Sequence, residues 1–291
     1  MNQETVLEKV RLSLETVGYK PGLIKRDYKY YDFYKTGKTN SIPLACFAHR
    51  DSNFRNACIG VVFSNGLSGR ENIGRHISLG TPLFFEISEN TISEWKLEKK
   101  TNVEPVQIGQ FEFSRIDEVF EKNKSKWMPD AVIKARNYNI QTKTRQLDFV
   151  DIGCFEYLDG ILHRKFDELL KEIIRNTKSR IHSEPATQSN DYKDIFRLIF
   201  RFISAKVLHD KNHPLQWDWN NAASVLSAVE NYYSINDDIS KFILANQGLP
   251  EQTWEQIKTS ISFNNLSVND LAYIYENSFI TNETRKEFGT H

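Results

Sequence analysis

The sequence predicts an α+β protein in which a mixed-sheet domain is followed by an all-α helical domain. Two observations support this fold class. The first half of the chain mixes short β-branched and aromatic runs with helical segments, whereas the second half shows apolar residues almost only at helical spacing. A chain of 291 residues is also long enough to form two cores. We therefore expect a first domain over residues 1–150 and a helical domain over residues 151–291.

The first domain is predicted to start with a helix and to continue into a sheet. Val10, Leu14 and Val17 follow helical spacing, and Gly18 ends that pattern. The next runs are short and rich in β-branched and aromatic residues, which is typical of strands. The predicted elements in order are a helix over 7–17, strands over 28–34, 42–48 and 57–63, a helix over 69–79, strands over 83–87 and 92–97, and helices over 115–127 and 129–138.

The second domain is predicted to be a helical bundle. Residues 191–209 are apolar on most sides, so they are expected to form its central helix. Ser267 and Asp270 form a capping-box pattern before the last predicted helix. The predicted helices cover residues 155–181, 191–209, 222–233, 237–246, 254–260 and 268–278.

Composition limits the function classes. The 38 basic and 38 acidic side chains balance, so any attraction to nucleic acid must come from local clusters. Cys46, Cys58 and Cys154 stand singly in apolar stretches and are interpreted as buried thiols. No apolar run reaches the length of a membrane span, and the start of the chain does not have a signal-sequence pattern. We expect a cytoplasmic protein without a membrane partner.

The sequence predicts no catalytic residue and no metal ligand in this chain. The glycine-rich nucleotide-binding patterns and the H-E-x-x-H pattern are absent. His209 and His213 are four residues apart, a spacing that can bind zinc, but Pro214 follows them and no cysteine or third histidine lies nearby. We interpret the two histidines as the end of a helix.

The strand pattern of the first domain resembles the restriction-endonuclease-like fold. The metal site of that fold is an Asp followed on the next strand by Glu/Asp-x-Lys, because paired carboxylates hold the cation and the lysine activates water. Asp27 or Asp32 would supply the first carboxylate, but the strand over 41–50 contains no acid and no lysine. The sequence therefore predicts a degenerate site, and an active metal-dependent endonuclease is the least favoured interpretation.

Two basic clusters are the candidate DNA-binding residues. In the second cluster no acidic residue separates the cations, and asparagine and tyrosine lie between them, a composition suited to a phosphate backbone. The alternative for both clusters is a solvated surface. The first cluster contains Lys20, Lys25, Arg26, Lys29, Lys35 and Lys38, and the second contains Lys134, Arg136, Lys143 and Arg145.

The carboxy-terminal residues resemble a known family. Residues 266–279, with Ile274-Tyr275-Glu276, and residues 284–291 are similar to the helix and loop that precede the catalytic domain of adenine-N6 DNA methyltransferases of type I and type IIG-like restriction-modification systems. Residues 55–63 and 80–87 resemble, with lower specificity, the amino-terminal module of large methyltransferases linked to phage defence.

The resemblance implies that the methyl-transfer motifs lie beyond His291 in a longer parent. The parent would use S-adenosylmethionine, whereas these residues hold no cofactor by themselves. Two functions remain open. One is a region that binds and positions double-stranded DNA, and the other is a protein-interaction scaffold that docks specificity or nuclease subunits. Fold resemblance alone does not decide between them.

Overall fold

The structure is a computed structural model that describes residues 2–50, 52–137, 147–181, 188–260, 262–267 and 270. The chain forms two compact units. Unit 1 consists of Met1–Leu162 together with Asn265–Ser267, and unit 2 consists of His163–Asn264 together with Val268–His291. A sheet unit followed by helices confirms the predicted α+β class.

Unit 1 is built on a six-stranded mixed sheet with the strand order β1-β2-β3-β4-β5-β6. All neighbouring strands are antiparallel except β3 and β4, which are parallel and are connected through the short helix α2. Parallel strands require such a crossover. The other strands are connected by turns, except that residues 48–56, which include a 3₁₀ turn, join β2 to β3. The strands are β1 (Ile24–Asp32), β2 (Lys38–Phe47), β3 (Ala57–Phe63), β4 (Leu83–Ile87), β5 (Thr91–Lys99) and β6 (Val103–Glu112).

Helices cover both faces of this sheet. Phe85 packs against Phe120 and Trp127 of α3 at ring-centroid distances of 5.3 and 5.0 Å. The next residue, Glu86, points to the other face, where its carboxylate accepts a hydrogen bond from Asn72 of α2 at 2.9 Å. The helices of unit 1 up to residue 137 are α1 (Gln3–Val17), α2 (Gly69–Gly74), α3 (Ile116–Trp127) and α4 (Pro129–Asn137).

Strand β6 was not among the predicted strands. Pro105 and Gly109 interrupt its pattern, and proline within an apolar run argues against a central strand. In the structure β6 is an edge strand, and an edge strand tolerates the missing N–H of Pro105. The pairing with β5 also shifts register, since Trp95 faces Gln107 whereas Glu94 faces Gly109. Ile108 is the extra residue of this bulge.

A distant segment completes unit 1 beside the other edge strand. The buried side chain of Asn265 accepts a hydrogen bond from the Tyr31 N–H at 2.9 Å and donates to the Tyr31 carbonyl at 3.2 Å. This amide pairs with one residue of β1 as a neighbouring strand would. The carbonyl of Asn265 accepts from the N–H of Phe54 at 2.6 Å. Residues 265–267 are therefore part of the first fold, far along the chain from the rest of it.

The long helix α5 (Ile152–Lys178) contains the division between the units, whereas the sequence prediction placed the domain boundary at residue 150. The remaining described helices are α6 (Gln188–Asp210), α7 (Ala222–Tyr233), α8 (Ser240–Ala245) and α9 (Leu249–Ser260). Helix α6 packs against both α7 and α9, and Leu198, Ile199 and Phe202 are fully buried on it. This confirms the predicted central helix.

Several element boundaries differ from the predictions. α1, β1 and β2 each start four residues earlier than predicted, at Gln3, Ile24 and Lys38, and three further helical segments also differ. Helix α2 stops at Gly74 and a short 3₁₀ turn over Ile77–Leu79 follows, so residues 69–79 are not one helix. Helix α8 starts only at Ser240, whose N–H donates to the side chain of Asp238 at 2.8 Å. Helix α9 begins earlier than predicted, at Leu249. Among the described helices, none has the length and apolar character needed to cross a membrane.

Candidate nucleic-acid interface

The six predicted DNA-binding residues fall into different environments. Lys134 is exposed on α4, and Lys25 is half-buried on β1. Lys143 and Arg145 lie outside the described residues. Arg26 and Arg136 are both engaged by other parts of unit 1. The structure therefore does not show the second cluster as one exposed basic surface.

Arg136 belongs to the interior, which corrects its predicted exposure. Its side chain is 6% exposed, and one guanidinium nitrogen donates to the carbonyl oxygens of Ala57 at 3.0 Å and Gly80 at 2.6 Å. The guanidinium also lies over the rings of Phe54 and Phe155 at 4.9 and 4.2 Å. Burial lowers the pKa of Arg136 to about 10, so the group stays cationic at neutral pH. A charge pattern in sequence cannot distinguish such a residue from its exposed neighbour Lys134.

Arg26 is occupied by ion pairs with α1. Its guanidinium contacts the carboxylates of Glu4 and Glu8, the latter at 2.8 Å. All three side chains are solvent-accessible, so the pairs contribute little stability but neutralise the charge locally. Arg26 is therefore less available to bind a phosphate than its position in the first cluster predicted.

The lysines of the first cluster are not engaged in this way. None of them has a carboxylate within salt-bridge distance among the described residues. They follow the edge strand β1, the segment that leads into it, and the turn into β2, and all but Lys25 are exposed. These lysines, here called the edge lysines, are Lys20, Lys25, Lys29, Lys35 and Lys38.

Asp32 does not have the surroundings of a metal ligand. Its carboxylate is 2% exposed and accepts four hydrogen bonds, from the Ser78 hydroxyl at 2.6 Å, the Lys35 N–H at 3.3 Å, and the Thr36 N–H and hydroxyl at 3.1 and 2.9 Å. A carboxylate has about four lone-pair sites, so these bonds use them. Asp32 holds the turn between β1 and β2. Asp27 is exposed, with a φ of 45°.

A cavity of about 380 Å³ in unit 1 is lined by charged residues of β5 and of the segment before α5. Its charged side chains form ion pairs and hydrogen bonds within the protein. Lys96 pairs with Glu98 at 2.6 Å, and Asp151 accepts a bond from the Lys99 N–H at 2.8 Å. The Lys99 ammonium lies 4.3 Å from the centre of the Tyr157 ring. The described part of the lining thus offers no free cluster of one sign for a charged cofactor.

Unit 2 carries a solvent-accessible group of aromatic rings beyond the C-terminal end of α6. The His209 ring is stacked on Trp219, with centroids 3.7 Å apart and an interplanar angle of 19°. Trp254 contacts the same indole edge-on at 4.6 Å, and its Nε1 donates to the Trp219 carbonyl at 3.0 Å. Trp217 lies 5.9 Å from Trp219 and is half-buried. Buried Trp254 therefore fixes the position of Trp219, and the half-exposed His209 ring covers one face of its indole.

The His209 ring is also fixed by a hydrogen bond. Its Nδ1 lies 3.1 Å from Oδ1 of Asp210, which is nearly buried and is also bound by Lys206 at 2.7 Å. A carboxylate accepts only, so Nδ1 carries a proton and donates. The second carboxylate oxygen accepts from the N–H of Phe263 at 2.7 Å. Asp210 thus ties the ring, the end of α6 and the segment after α9 together.

A second set of rings includes His213, three residues after the last residue of α6. His213 donates its backbone N–H to the Leu208 carbonyl, which places it at the same helix end. Its ring contacts Tyr232 edge-on at 6.0 Å, and Tyr232 contacts Tyr233 at 4.9 Å. Tyr232 and Tyr233 are 46% and 50% exposed. The aromatic surface, as used below, consists of His209, His213, Trp217, Trp219, Tyr232 and Tyr233.

Sequence reasoning identified the helix end but missed this surface. The prediction that His209 and His213 mark the end of a helix is confirmed, since α6 ends at Asp210. The missed signal was the pair Trp217 and Trp219 in a polar loop containing proline, because large aromatic residues in such a loop are expected to be buried or to bind something.

Comparison with known proteins adds no assignment, because no protein-family model, curated protein or solved structure matches this chain. The candidate sites therefore depend on the residues themselves.

Proposed function

We propose that this chain binds and positions DNA as part of an adenine-N6 DNA methyltransferase of the restriction-modification kind, acting in the cytoplasm. The observation that carries the proposal is the row of edge lysines in unit 1. They are cations without carboxylate partners among the described residues, and four of them are exposed. Free cations of this kind supply most of the affinity for a phosphate backbone, because each contact releases condensed counterions.

The two kinds of cation in unit 1 explain why a neutral chain can still bind DNA. Arg26 and Arg136 are occupied by carboxylates and carbonyls, respectively. The edge lysines keep their charge available, so this local cluster would supply an attraction that the formal net charge of +0 does not. Lys134, which is exposed on α4, offers one further contact.

Methyl transfer is not proposed for these residues. The glycine-rich cofactor motif and the Asn-Pro-Pro-Tyr/Phe motif of the family do not occur in the sequence. S-adenosylmethionine would therefore be held by another part of the parent, and no step of the reaction is assigned here. An endonuclease role is disfavoured for Asp32 because its carboxylate is occupied by hydrogen bonds within the turn.

The test is binding of labelled duplex DNA measured by fluorescence anisotropy across a salt series. In one variant the edge lysines are changed to alanine. The matched control changes the same number of ion-paired lysines, Lys9, Lys124, Lys126, Lys165 and Lys171. We expect loss of binding only in the first variant, with the slope of log K against log salt reduced by about 0.9 for each phosphate that the variant no longer binds.

Equal losses in both variants would mean that only total charge matters, and no binding by the unaltered chain at low salt would contradict the proposal. A further variant changes Lys134, Lys143 and Arg145 to alanine but retains Arg136, whose removal would disturb the fold. Its binding reports whether the second cluster contributes.

The alternative function is a scaffold that docks specificity or nuclease subunits. Leu244 of α8 is 70% exposed and is the residue at which contact with such a partner can be tested. The formal net charge of +0 fits a protein partner better than a nucleic acid. If the chain does not bind DNA but associates with a subunit of the same system, and Leu244→Ser abolishes that association, the scaffold is the better account.

A further inference from the structure

The loop between β3 and α2 contains Asn65-Gly66, the one place in the sequence where glycine follows asparagine, and both residues are exposed. We propose that Asn65 is a site of spontaneous deamidation, in which a carboxylate replaces the side-chain amide through a cyclic imide. The only reactants are the chain itself and water. The modification therefore does not require the proposed function and is independent of any partner.

The reaction balances without an oxidant or a reductant. The backbone nitrogen of Gly66 loses its proton to solvent base and attacks Cγ of Asn65, which forms a new C–N bond. The former amide nitrogen takes up a proton from water and leaves as ammonia, so that a five-membered imide ring closes. Water then adds to one of the two ring carbonyls and opens the ring, which gives either aspartate or isoaspartate. The chain thus consumes one water and releases one ammonia.

The attacking nitrogen is unobstructed. Among the described residues, none accepts a hydrogen bond from the Gly66 N–H. Gly66 has a φ of 83°, and a Cβ added to it would meet no atom within 4 Å. No side chain shields the nitrogen, and the open space leaves the main chain free to rotate. Such freedom is needed because the nitrogen and the carbon that it attacks must approach to about 3–3.5 Å.

The amide that is attacked is oriented by the same loop. Oδ1 of Asn65 accepts a hydrogen bond from the N–H of Leu67 at 3.3 Å, which closes a turn around Gly66. The amide is therefore directed towards the main chain that follows it. The Leu67 N–H can also stabilise the negative charge that this oxygen acquires during attack. Ser64 and Ser68 are exposed as well, so solvent base and water reach the loop.

Asn40 provides a comparison within unit 1. It also precedes a small residue, Ser41, but it lies in β2, is half-buried, and is paired with Tyr30 of β1. Its Nδ2 donates to the Arg75 carbonyl at 2.9 Å, and its Oδ1 accepts from the Ser41 N–H at 2.8 Å. The nitrogen that would attack is thus already a hydrogen-bond donor, and strand pairing restricts the main chain. Asn40 should therefore react more slowly than Asn65.

The experiment is incubation of the full chain at mildly alkaline pH, followed by peptide mapping by mass spectrometry. Exchange of the amide for a carboxyl group should raise the mass of the Asn65 peptide by about 1 Da, or by about 3 Da in water enriched in heavy oxygen. We expect conversion at Asn65 to be at least about tenfold faster than at Asn40. Chromatography should separate two products, aspartate and isoaspartate, because water can open the ring at either carbonyl.

Charge gives a second readout on the intact protein. The new carboxylate takes the formal net charge from +0 to about −1, so isoelectric focusing should show a more acidic species that accumulates with time. The rate should rise with pH because the Gly66 nitrogen must first lose its proton. In Asn65→Gln a larger ring would have to close, so the acidic species should form at least about tenfold more slowly. The matched control, Asn40→Gln, should leave its rate unchanged.

Three results would overturn the assignment. Equal conversion at Asn65 and Asn40 would show that the loop does not favour the reaction. An acidic species that forms as fast in Asn65→Gln as in the unaltered chain would place the modification elsewhere. Aspartate without isoaspartate would mean that water hydrolyses the side-chain amide directly, with no cyclic imide and no role for the Gly66 nitrogen.

Discussion

Buried charged groups are satisfied differently in the two units. In unit 1, Arg136 bonds to backbone carbonyls and lies over two phenylalanine rings, and Asp32 accepts bonds from hydroxyls and backbone N–H groups. In unit 2, Arg201 is 3% exposed and binds the carboxylates of Glu230 and Asp237, both at 2.9 Å. Lys206 likewise binds Asp210.

This difference predicts how much the free energy of unfolding falls when the buried charged side chain is removed. Ala57 begins β3 and Gly80 ends a 3₁₀ turn, and both are buried, so the carbonyl partners of Arg136 would stay buried and unsatisfied. The partners of Arg201 are two side chains that are 35% and 37% exposed and can be hydrated after small rotations, and the carbonyl of Asp237, which lies in a loop and not in a strand. We therefore expect unit 1 to tolerate the loss of its buried charges less well than unit 2.

The largest expected effect is that of Arg136→Ala. It leaves the carbonyls of Ala57 and Gly80 without this donor and opens space between Phe54 and Phe155. We expect the free energy of unfolding to fall by about 3–4 kcal/mol, measured by urea denaturation. Lys134→Ala, on the exposed side of the same helix, is the control and should change the free energy of unfolding by less than about 0.5 kcal/mol. Similar effects of the two substitutions would contradict the conclusion that the carbonyl partners of Arg136 stay unsatisfied when it is removed.

The next effect is a dependence on pH caused by His76. Burial lowers the pKa of His76 from 6.5 to about 4, and its Nδ1 lies 2.8 Å from the Tyr30 hydroxyl. Since the folded pKa is below the unfolded one, the unfolded chain takes up the proton first, and stability falls as pH decreases from 6.5 towards 4. At pH 5 the loss should be about 2 kcal/mol relative to pH 8.

The measurement is urea denaturation at pH 8 and pH 5 for the unaltered chain and for His76→Gln. Other groups titrate in both proteins, so the difference between them isolates His76. The variant should lose about 2 kcal/mol less than the unaltered chain over this range. Identical losses would show that His76 is not held neutral by its surroundings.

Arg201→Ala in unit 2 is expected to lower the free energy of unfolding by less than Arg136→Ala does. The buried guanidinium is removed, but Glu230 and Asp237 regain water, so we expect the free energy of unfolding to fall by about 2 kcal/mol. Arg201→Met should recover part of this loss because an apolar side chain of similar length fills the space. Arg136→Met should recover much less, because the two carbonyls still lack the donor. The same recovery at both positions, measured by urea denaturation, would contradict the distinction between the units.

The smallest expected effects are those of two glycine substitutions, one in each unit. Asp27 in unit 1 and Ser234 in unit 2 have positive φ angles of 45° and 51°. Glycine adopts this region without steric cost, so Asp27→Gly and Ser234→Gly should each raise the free energy of unfolding by about 0.5 kcal/mol. If calorimetry resolves two thermal transitions, each substitution should move a different one. Movement of the same transition by both would show that the units unfold together.

The sequence was sufficient for the fold class and for most elements, because hydrophobic spacing reports which face of a segment is buried. The helix α1 and the strands β3 and β4 appear where their patterns predicted. Strand β6 was missed because its proline is acceptable only at a sheet edge, and the edge is a property of the whole sheet.

The candidate sites were less accessible to sequence reasoning. Lys134 and Arg136 are two residues apart and look alike in a charge pattern, yet one is exposed and the other is enclosed by β3, Gly80 and two aromatic rings. In the aromatic surface, His209 at a helix end stacks on Trp219 of a loop, and His213 contacts Tyr232 of the next helix. Such an arrangement depends on packing in unit 2, which local spacing does not encode.

The segment containing Asn265 has a consequence for the order in which the protein is made. A ribosome delivers residues 1–162 first, but the amide that pairs with Tyr31 and the carbonyl that binds Phe54 belong to a residue translated about a hundred positions later. Until Asn265 has been synthesised, the backbone N–H and carbonyl of Tyr31 lack this partner. During that time they are open to a chaperone or to another chain.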